Sequence, residues 1–183
     1  ADCGVPQKRE RVFFCAVRND IDVPPLKLAP THRWISAGEA TSDVQVLTAE
    51  EVIDTKLTPQ YASYWPHCVN GVTPQDVRKR TTGKDGCFTA CRLDVAKPSP
   101  TLMSQEQHFF HWGECRKLTY REWKRLGSFP DDYHAKTDKI GKYMIGMSVP
   151  PKMTEQVARA VCEQWLNVNY SELSNDNQAQ NPH

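Results

Sequence analysis

Apolar and polar positions alternate poorly over much of this chain, so the few places with a clear pattern carry the reading. Val12 to Val17 form an unbroken apolar run between charged residues. A strand apolar on both faces belongs inside a covered sheet, and one is predicted over 11–18. Residues 22–30 are proline-rich and read as a linker. From 31 to 112 the periodicity is weak. Short strands are predicted near 44–47, 88–93 and 101–103, with one or two helical turns over 50–56.

The helical signals are sharper further on. In "KLTYREWKRLG", Thr119 and Glu122 have the spacing of a capping box, and Leu118 and Trp123 that of a hydrophobic staple. Gly127 is predicted to end this helix in the left-handed conformation, and a turn over "SFPDDY" follows. A last helix is predicted after "SVPP", where Pro150 and Pro151 suit a first turn. Met153, Val157, Ala160, Val161 and Trp165 make its apolar stripe. The tail from Ser171 is polar.

The chain has 183 residues, 39% of them hydrophobic, enough for one ordinary core. The 23 Lys and Arg nearly cancel the 22 Asp and Glu, so any basic surface has to be local. Seven cysteines at irregular spacing, without a signal peptide, point to reduced thiols and a cytoplasmic setting. No apolar stretch is long enough to span a membrane.

Four blocks, in order, resemble those of the DNA cytosine C5-methyltransferases. "GVPQKRERVFF" is similar to the family's eighth motif, "RKLTYREWKRLGSFPDDY" to its ninth and "YMIGMSVPP" to its tenth. "KPSPTLMSQ" resembles the Thr-Leu/Ile element of the target recognition domain. The resemblance implies an α/β chain: a fragment of a doubly wound methyltransferase domain that depends on S-adenosylmethionine, plus a small mixed α+β target recognition domain. It places residues 1–24 and 140–183 with the large domain, the latter ending in a polar tail, and residues 25–139 in the recognition domain. The expectation is the C-terminal half of such an enzyme. Its partners would be double-stranded DNA and an N-terminal catalytic half, in the same chain or a separate subunit, which would complete the S-adenosylmethionine site.

Carbon 5 of cytosine is a poor nucleophile, so a thiolate must first add at C6 while an acid near N3 stabilises the developing charge. The base must also leave the duplex. The family takes its nucleophile from a Pro-Cys dipeptide, its acid from Glu-Asn-Val and its cofactor loop from Phe-x-Gly-x-Gly, none of which occurs here. The chain alone is expected to be inactive.

The resemblance leaves supporting roles. Arg9 and Arg11, alternating with Lys8 and Glu10, are implied to point at the flipped cytosine or its phosphate, for which a guanidinium offers planar, permanently charged donors; the bland reading is a surface pair with Glu10. Thr101 is implied to contact the DNA backbone. Arg116 and Lys117 are assigned to phosphate, against simple solvation. Arg78, Lys79, Arg80 and Lys84, in the loop "RKRTTGK", are the candidates for backbone or base contact, against an ordinary solvated loop. Gly146, Ser148 and Val149 are implied to close over the methionine end of the cofactor. Met144 and Met147 stand where the family commonly has Gln and Asn, which exchanges hydrogen-bonding amides for thioethers.

Two other readings compete. A standalone DNA-binding or regulatory relic would keep recognition without chemistry. A zinc module would use Cys68, Cys87, Cys91 and Cys115 among His67, His108 and His111, but the spacing lacks paired Cys motifs, and no metal is expected.

Overall fold

The computed structural model describes residues 1–30, 32–69, 72–86, 91–104 and 109–166. In chain order it contains α1 (Ala37–Ala40), α2 (Ala49–Asp54), α3 (Pro59–Tyr64), a 3-10 turn (Trp65–His67), α4 (Pro74–Thr82), β1 (Cys91–Arg92), β2 (Phe109–Phe110), α5 (Tyr120–Gly127), α6 (Asp138–Met147) and α7 (Pro151–Trp165). The two short strands pair in parallel, with Cys91 opposite Phe109.

The core gathers around α5. Trp123 and Leu126 of that helix are fully buried with Leu118, Leu102 and Phe109, and Ile145 of α6 closes the cluster. The local sequence explains why α5 is the centre. Thr119 accepts from the Glu122 backbone N–H at 3.1 Å, and the Glu122 carboxylate accepts from the Thr119 backbone N–H at 2.7 Å, forming the capping box. Leu118 and Trp123, the two staple positions, are both buried in the core. A second small cluster packs Leu57 and Phe110 against Tyr61 and Trp65.

Long-range ion pairs tie α2 and the turn after α1 to α5. Arg121 donates to both carboxylate oxygens of Glu51 at 2.8 and 2.7 Å, and Arg125 reaches Asp43. α2, α4 and α5 all carry capping boxes, so short helices of marginal propensity have their first-turn N–H groups satisfied.

Several expectations are corrected. The run 11–18 makes no strand: Phe14 is 95% and Val12 79% exposed, because no sheet among the described residues offers it an edge. The segment instead leads into 24–27, which lies along α7 through Trp165 Nε1 donating to the Pro24 carbonyl at 2.8 Å. Residues 44–47 are irregular, with a bend at Val46. The 101–103 segment is also irregular, although Ser99 beside it bridges Gln7 in parallel. Within the 88–93 prediction only Cys91–Arg92 forms a strand, and 88–90 lie outside the described residues.

Gly127 is the last residue of α5, and Ser128 takes the left-handed conformation at φ 58°. Gly127 serves packing instead: a Cβ there would lie 2.8 Å from Ile145 Cγ2. The helix α6, between the predicted turn and the final helix, crosses residue 140 and packs against α5. On α7 only Met153 and Ala160 are buried, while Val157, Val161 and Trp165 are half-buried. No described helix is long and apolar enough to cross a membrane.

Candidate DNA-contact site

The residues from Pro6 to Arg11 run through the middle of the molecule, and the site is built on them. Lys8 N–H donates to the Ser99 carbonyl at 2.8 Å, and Ser99 N–H to the Pro6 carbonyl at 2.9 Å. Gln7 is buried. Its Oε1 accepts from Leu102 N–H at 3.0 Å and its Nε2 donates to the Leu126 carbonyl at 3.3 Å. One side chain thus ties the start of the chain to the 99–102 segment and to the end of α5.

Arg9 extends the same junction. It is 4% exposed and donates to the Leu102 carbonyl at 2.8 Å and the Gly146 carbonyl at 2.9 Å. Burial holds its guanidinium pKa below the usual value, with the neighbouring Arg11 charge adding to that. The structure therefore gives Arg9 a positioning role between two backbone segments. Arg11 is exposed, and its Nη1 donates to the Glu10 carbonyl at 2.6 Å, so the bland alternative of a surface pair with the Glu10 carboxylate is replaced by a backbone contact.

Thr101 Oγ1 donates to the Lys8 carbonyl at 2.5 Å. This bond joins positions far apart in sequence on the wall of a cleft of about 560 Å³, lined by Asp2, Lys8, Glu10, Arg11, Trp34 and Thr101 among others. Lys8 and Thr101 also border a second cleft of about 800 Å³ that reaches Arg92, Lys97 and Trp112. Arg92 is anchored there: its Nε donates to the Trp112 carbonyl at 2.7 Å and its guanidinium lies 3.9 Å from the centre of the Trp65 ring.

The other candidates are placed elsewhere. The "RKRTTGK" segment is mainly helical, because Thr73 and Asp76 cap α4 and Pro74 opens it. Arg78 Nη1 donates to the Gly86 carbonyl at 2.6 Å and Lys79 pairs with Asp85 at 3.3 Å, while Arg80 and Lys84 are exposed. Arg116 is not a surface phosphate ligand. It is 6% exposed and donates to both oxygens of the buried Glu122 at 2.8 and 2.9 Å, with Nε on Glu114 at 2.7 Å. Lys117 is half-buried, and its backbone N–H donates to the Thr55 carbonyl at 2.7 Å.

His111 borders this ion pair. Its Nδ1 accepts backbone N–H bonds from Gly113 at 3.1 Å and Glu114 at 2.9 Å, which fixes the neutral tautomer protonated at Nε2. Burial, reinforced by Arg116, lowers its pKa against the opposing pull of Glu122 and Glu114. Gln7 falls inside the "GVPQKRERVFF" block and His111 among the histidines weighed for zinc, but nothing in the sequence pointed to the buried hydrogen bonds that each makes.

The three residues assigned to S-adenosylmethionine do not form a cradle on their own. A Cβ at Gly146 would lie 2.3 Å from the Met103 carbonyl oxygen, so the close approach its missing side chain allows is taken by this chain's own backbone. Ser148 Oγ donates to the Met144 carbonyl at 2.6 Å, and Val149 is exposed. Met144 and Met147 are exposed beside them. Among the described residues no group of His, Cys, Asp and Glu could hold a metal ion, and Cys87 and His108 lie outside them.

A sequence model of the C-5 cytosine-specific DNA methylases matches residues 1–163. The chain belongs to that family. Its members are DNA methyltransferases that use S-adenosylmethionine, and an α/β methyltransferase fold is the family's. The chain is 29% identical over 187 residues to the type II methyltransferase M.BbvI of Brevibacillus brevis, covering 93% of this chain and 49% of that protein. It is 28% identical over 172 residues to M1.HphI of Haemophilus parahaemolyticus, covering 88% and 45%. M.AquIB of Picosynechococcus matches at 38% over 90 residues, covering 42% and 65%. The chain thus spans about half the length of the first two of these curated relatives. Its assignment as a C-terminal half is set aside: the family match takes in the chain from residue 1, and the M.BbvI alignment covers nearly all of it. Membership in the family is what stands.

Proposed function

We propose that this chain serves methylation of cytosine C5 in DNA by holding the DNA, within residues 25–139 and along Lys8 to Arg11, while the attacking thiolate comes from protein outside this sequence. The observation that carries the reading is the Thr101–Lys8 hydrogen bond, which brings two remote segments together beside exposed Lys8 and Arg11. Ammonium and guanidinium donors in one cleft, with the Lys8 backbone held by the Thr101 hydroxyl, are a set that positions a phosphate backbone. Neither Lys8 nor Arg11 is neutralised by an ion pair with a described carboxylate. Arg80 and Lys84 add exposed cations on and beyond α4.

The nucleophile is placed outside because no cysteine here follows a proline. The exposed apolar face of α6, formed by Ile140, Tyr143, Met144 and Met147 at helical spacing, together with Val12 and Phe14, supports docking against further methyltransferase sequence. Ser148, Val149 and the two methionines would border the S-adenosylmethionine site there.

The test measures duplex binding by anisotropy and methyl transfer from labelled S-adenosylmethionine. The chain should bind duplex DNA with an affinity that falls as salt rises. Arg11→Ala should weaken binding by roughly 3- to 10-fold, about the loss of one or two charge-assisted contacts. The chain alone should transfer no methyl group. Methyl transfer by the isolated chain would refute the external nucleophile, and unchanged affinity in Arg11→Ala would refute the assigned cleft.

A further inference from the structure

Of the five tryptophans only Trp34 is exposed, at 56%; the other four are buried or half-buried. Leaving so large an apolar ring in water is unfavourable unless it has a partner. Its position is nevertheless held firmly. Trp34 Nε1 donates to Asp2 Oδ1 at 2.6 Å, and Lys8 Nζ lies 5.3 Å from the centre of the ring, within cation–π range. Lys8 is itself fixed through its carbonyl by Thr101. The ring lines the same cleft as Arg11 and Thr101.

We infer that Trp34 is a base-stacking residue: it takes a nucleobase that has left the helical stack, while Lys8 and Arg11 hold the phosphate beside it. The inference rests on the DNA reading above and adds Trp34 to it as the residue that receives the base. Any nucleobase presents a π-face, so an indole held at its edge binds one without reading its identity. The Asp2 hydrogen bond limits the ordering cost, because the ring is already oriented before DNA arrives. A cation beside the ring suits a base attached to a phosphate, since both parts of one nucleotide are then met together. A fully paired duplex offers the ring no such face except at its ends.

The test compares three labelled DNAs of equal length: a duplex closed by hairpins at both ends, the same duplex with one extrahelical 2-aminopurine, and a single strand. Wild-type chain should quench the extrahelical 2-aminopurine on binding. Trp34→Ala should abolish that quenching and weaken binding to the bulged and single-stranded DNAs by roughly 5- to 100-fold, the range of one base–aromatic stack. Its affinity for the closed duplex should change less than twofold. Trp34→Phe should retain most of the quenching, which separates stacking from loss of the fold. Arg11→Ala should weaken all three alike. Equal loss on all three DNAs in Trp34→Ala, or retained quenching, would overturn the stacking role while leaving the phosphate cleft standing. Failure of the wild-type chain to bind any of the three would overturn both.

Discussion

Replacing Arg116 by alanine separates a structural cation from a DNA-binding one. In the fold this guanidinium is 6% exposed and donates to both oxygens of Glu122, which is 1% exposed. Glu122 also accepts the Thr119 backbone N–H, so the same carboxylate caps α5. Removing the arginine leaves a buried carboxylate with one backbone donor and a histidine at 3.6 Å. Breaking one side of such a buried pair costs about 3–5 kcal/mol. The exposed Glu114 partner adds little, because solvent screens it. For a chain of this size each kcal/mol moves the melting temperature by about 2–4 °C, so a fall of roughly 6–20 °C is expected. Urea unfolding followed by circular dichroism gives the midpoint, and Arg80→Ala, on the exposed face of α4, serves as the control, expected within about 0.5 kcal/mol of wild type. An Arg116→Ala protein as stable as that control, with DNA affinity lost, would refute the buried-pair account and restore the arginine to phosphate.

Other expectations concern pH, glycine and exposed apolar surface. The folded-state pKa of His111 lies below its ordinary value through burial, so the unfolded chain binds more protons; stability should be full above about pH 6.5 and decline as pH falls through it. Urea midpoints between pH 5 and 8 should show that slope, flattened in His111→Gln. Gly146→Ala sets a Cβ 2.3 Å from a backbone oxygen and should cost about 1–3 kcal/mol or more by the same unfolding assay. Gly83→Ala, at φ +70° with open space around it, should cost about 1–2 kcal/mol through backbone strain alone. Phe14→Ser, at a side chain 95% exposed, should leave stability within about 0.5 kcal/mol while reducing self-association measured by light scattering.

Local chemistry was the part of the fold legible in the sequence. Thr119 and Glu122, and Leu118 and Trp123, act through neighbours within a turn or two as their spacing predicts, and of the two prolines Pro151 opens α7 while Pro150 stands at its N-cap. The apolar run from Val12 to Val17 shows only that this segment is suited to burial. Whether it is buried depends on a sheet edge, which the described residues do not offer it. The "RKRTTGK" segment shows the opposite case: its charges suggest a loop, while the capping residues Thr73 and Asp76 just upstream decide for a helix.

The sequence brings Arg9, Arg11 and Thr101 forward as candidates together and does not distinguish their structural roles. Arg9 and Arg11 look equivalent in an alternating stretch, yet one is buried on two carbonyls and the other is exposed. The difference is set by partners about 90 and 140 residues away: the Leu102 carbonyl, and the Gly146 carbonyl that comes within reach because Gly146 has no side chain to hold α6 off Met103. Arg9 therefore couples the segment carrying Thr101 to the end of α6, and Arg11 is left exposed. The two arginines should separate by experiment on the same ground. Arg9→Ala should lower the urea midpoint, because two buried carbonyls lose their charged donor. Arg11→Ala should leave the midpoint in place and lower DNA affinity. A midpoint unchanged in Arg9→Ala would mean that the two carbonyls are satisfied without the guanidinium and that the coupling between the segments lies elsewhere.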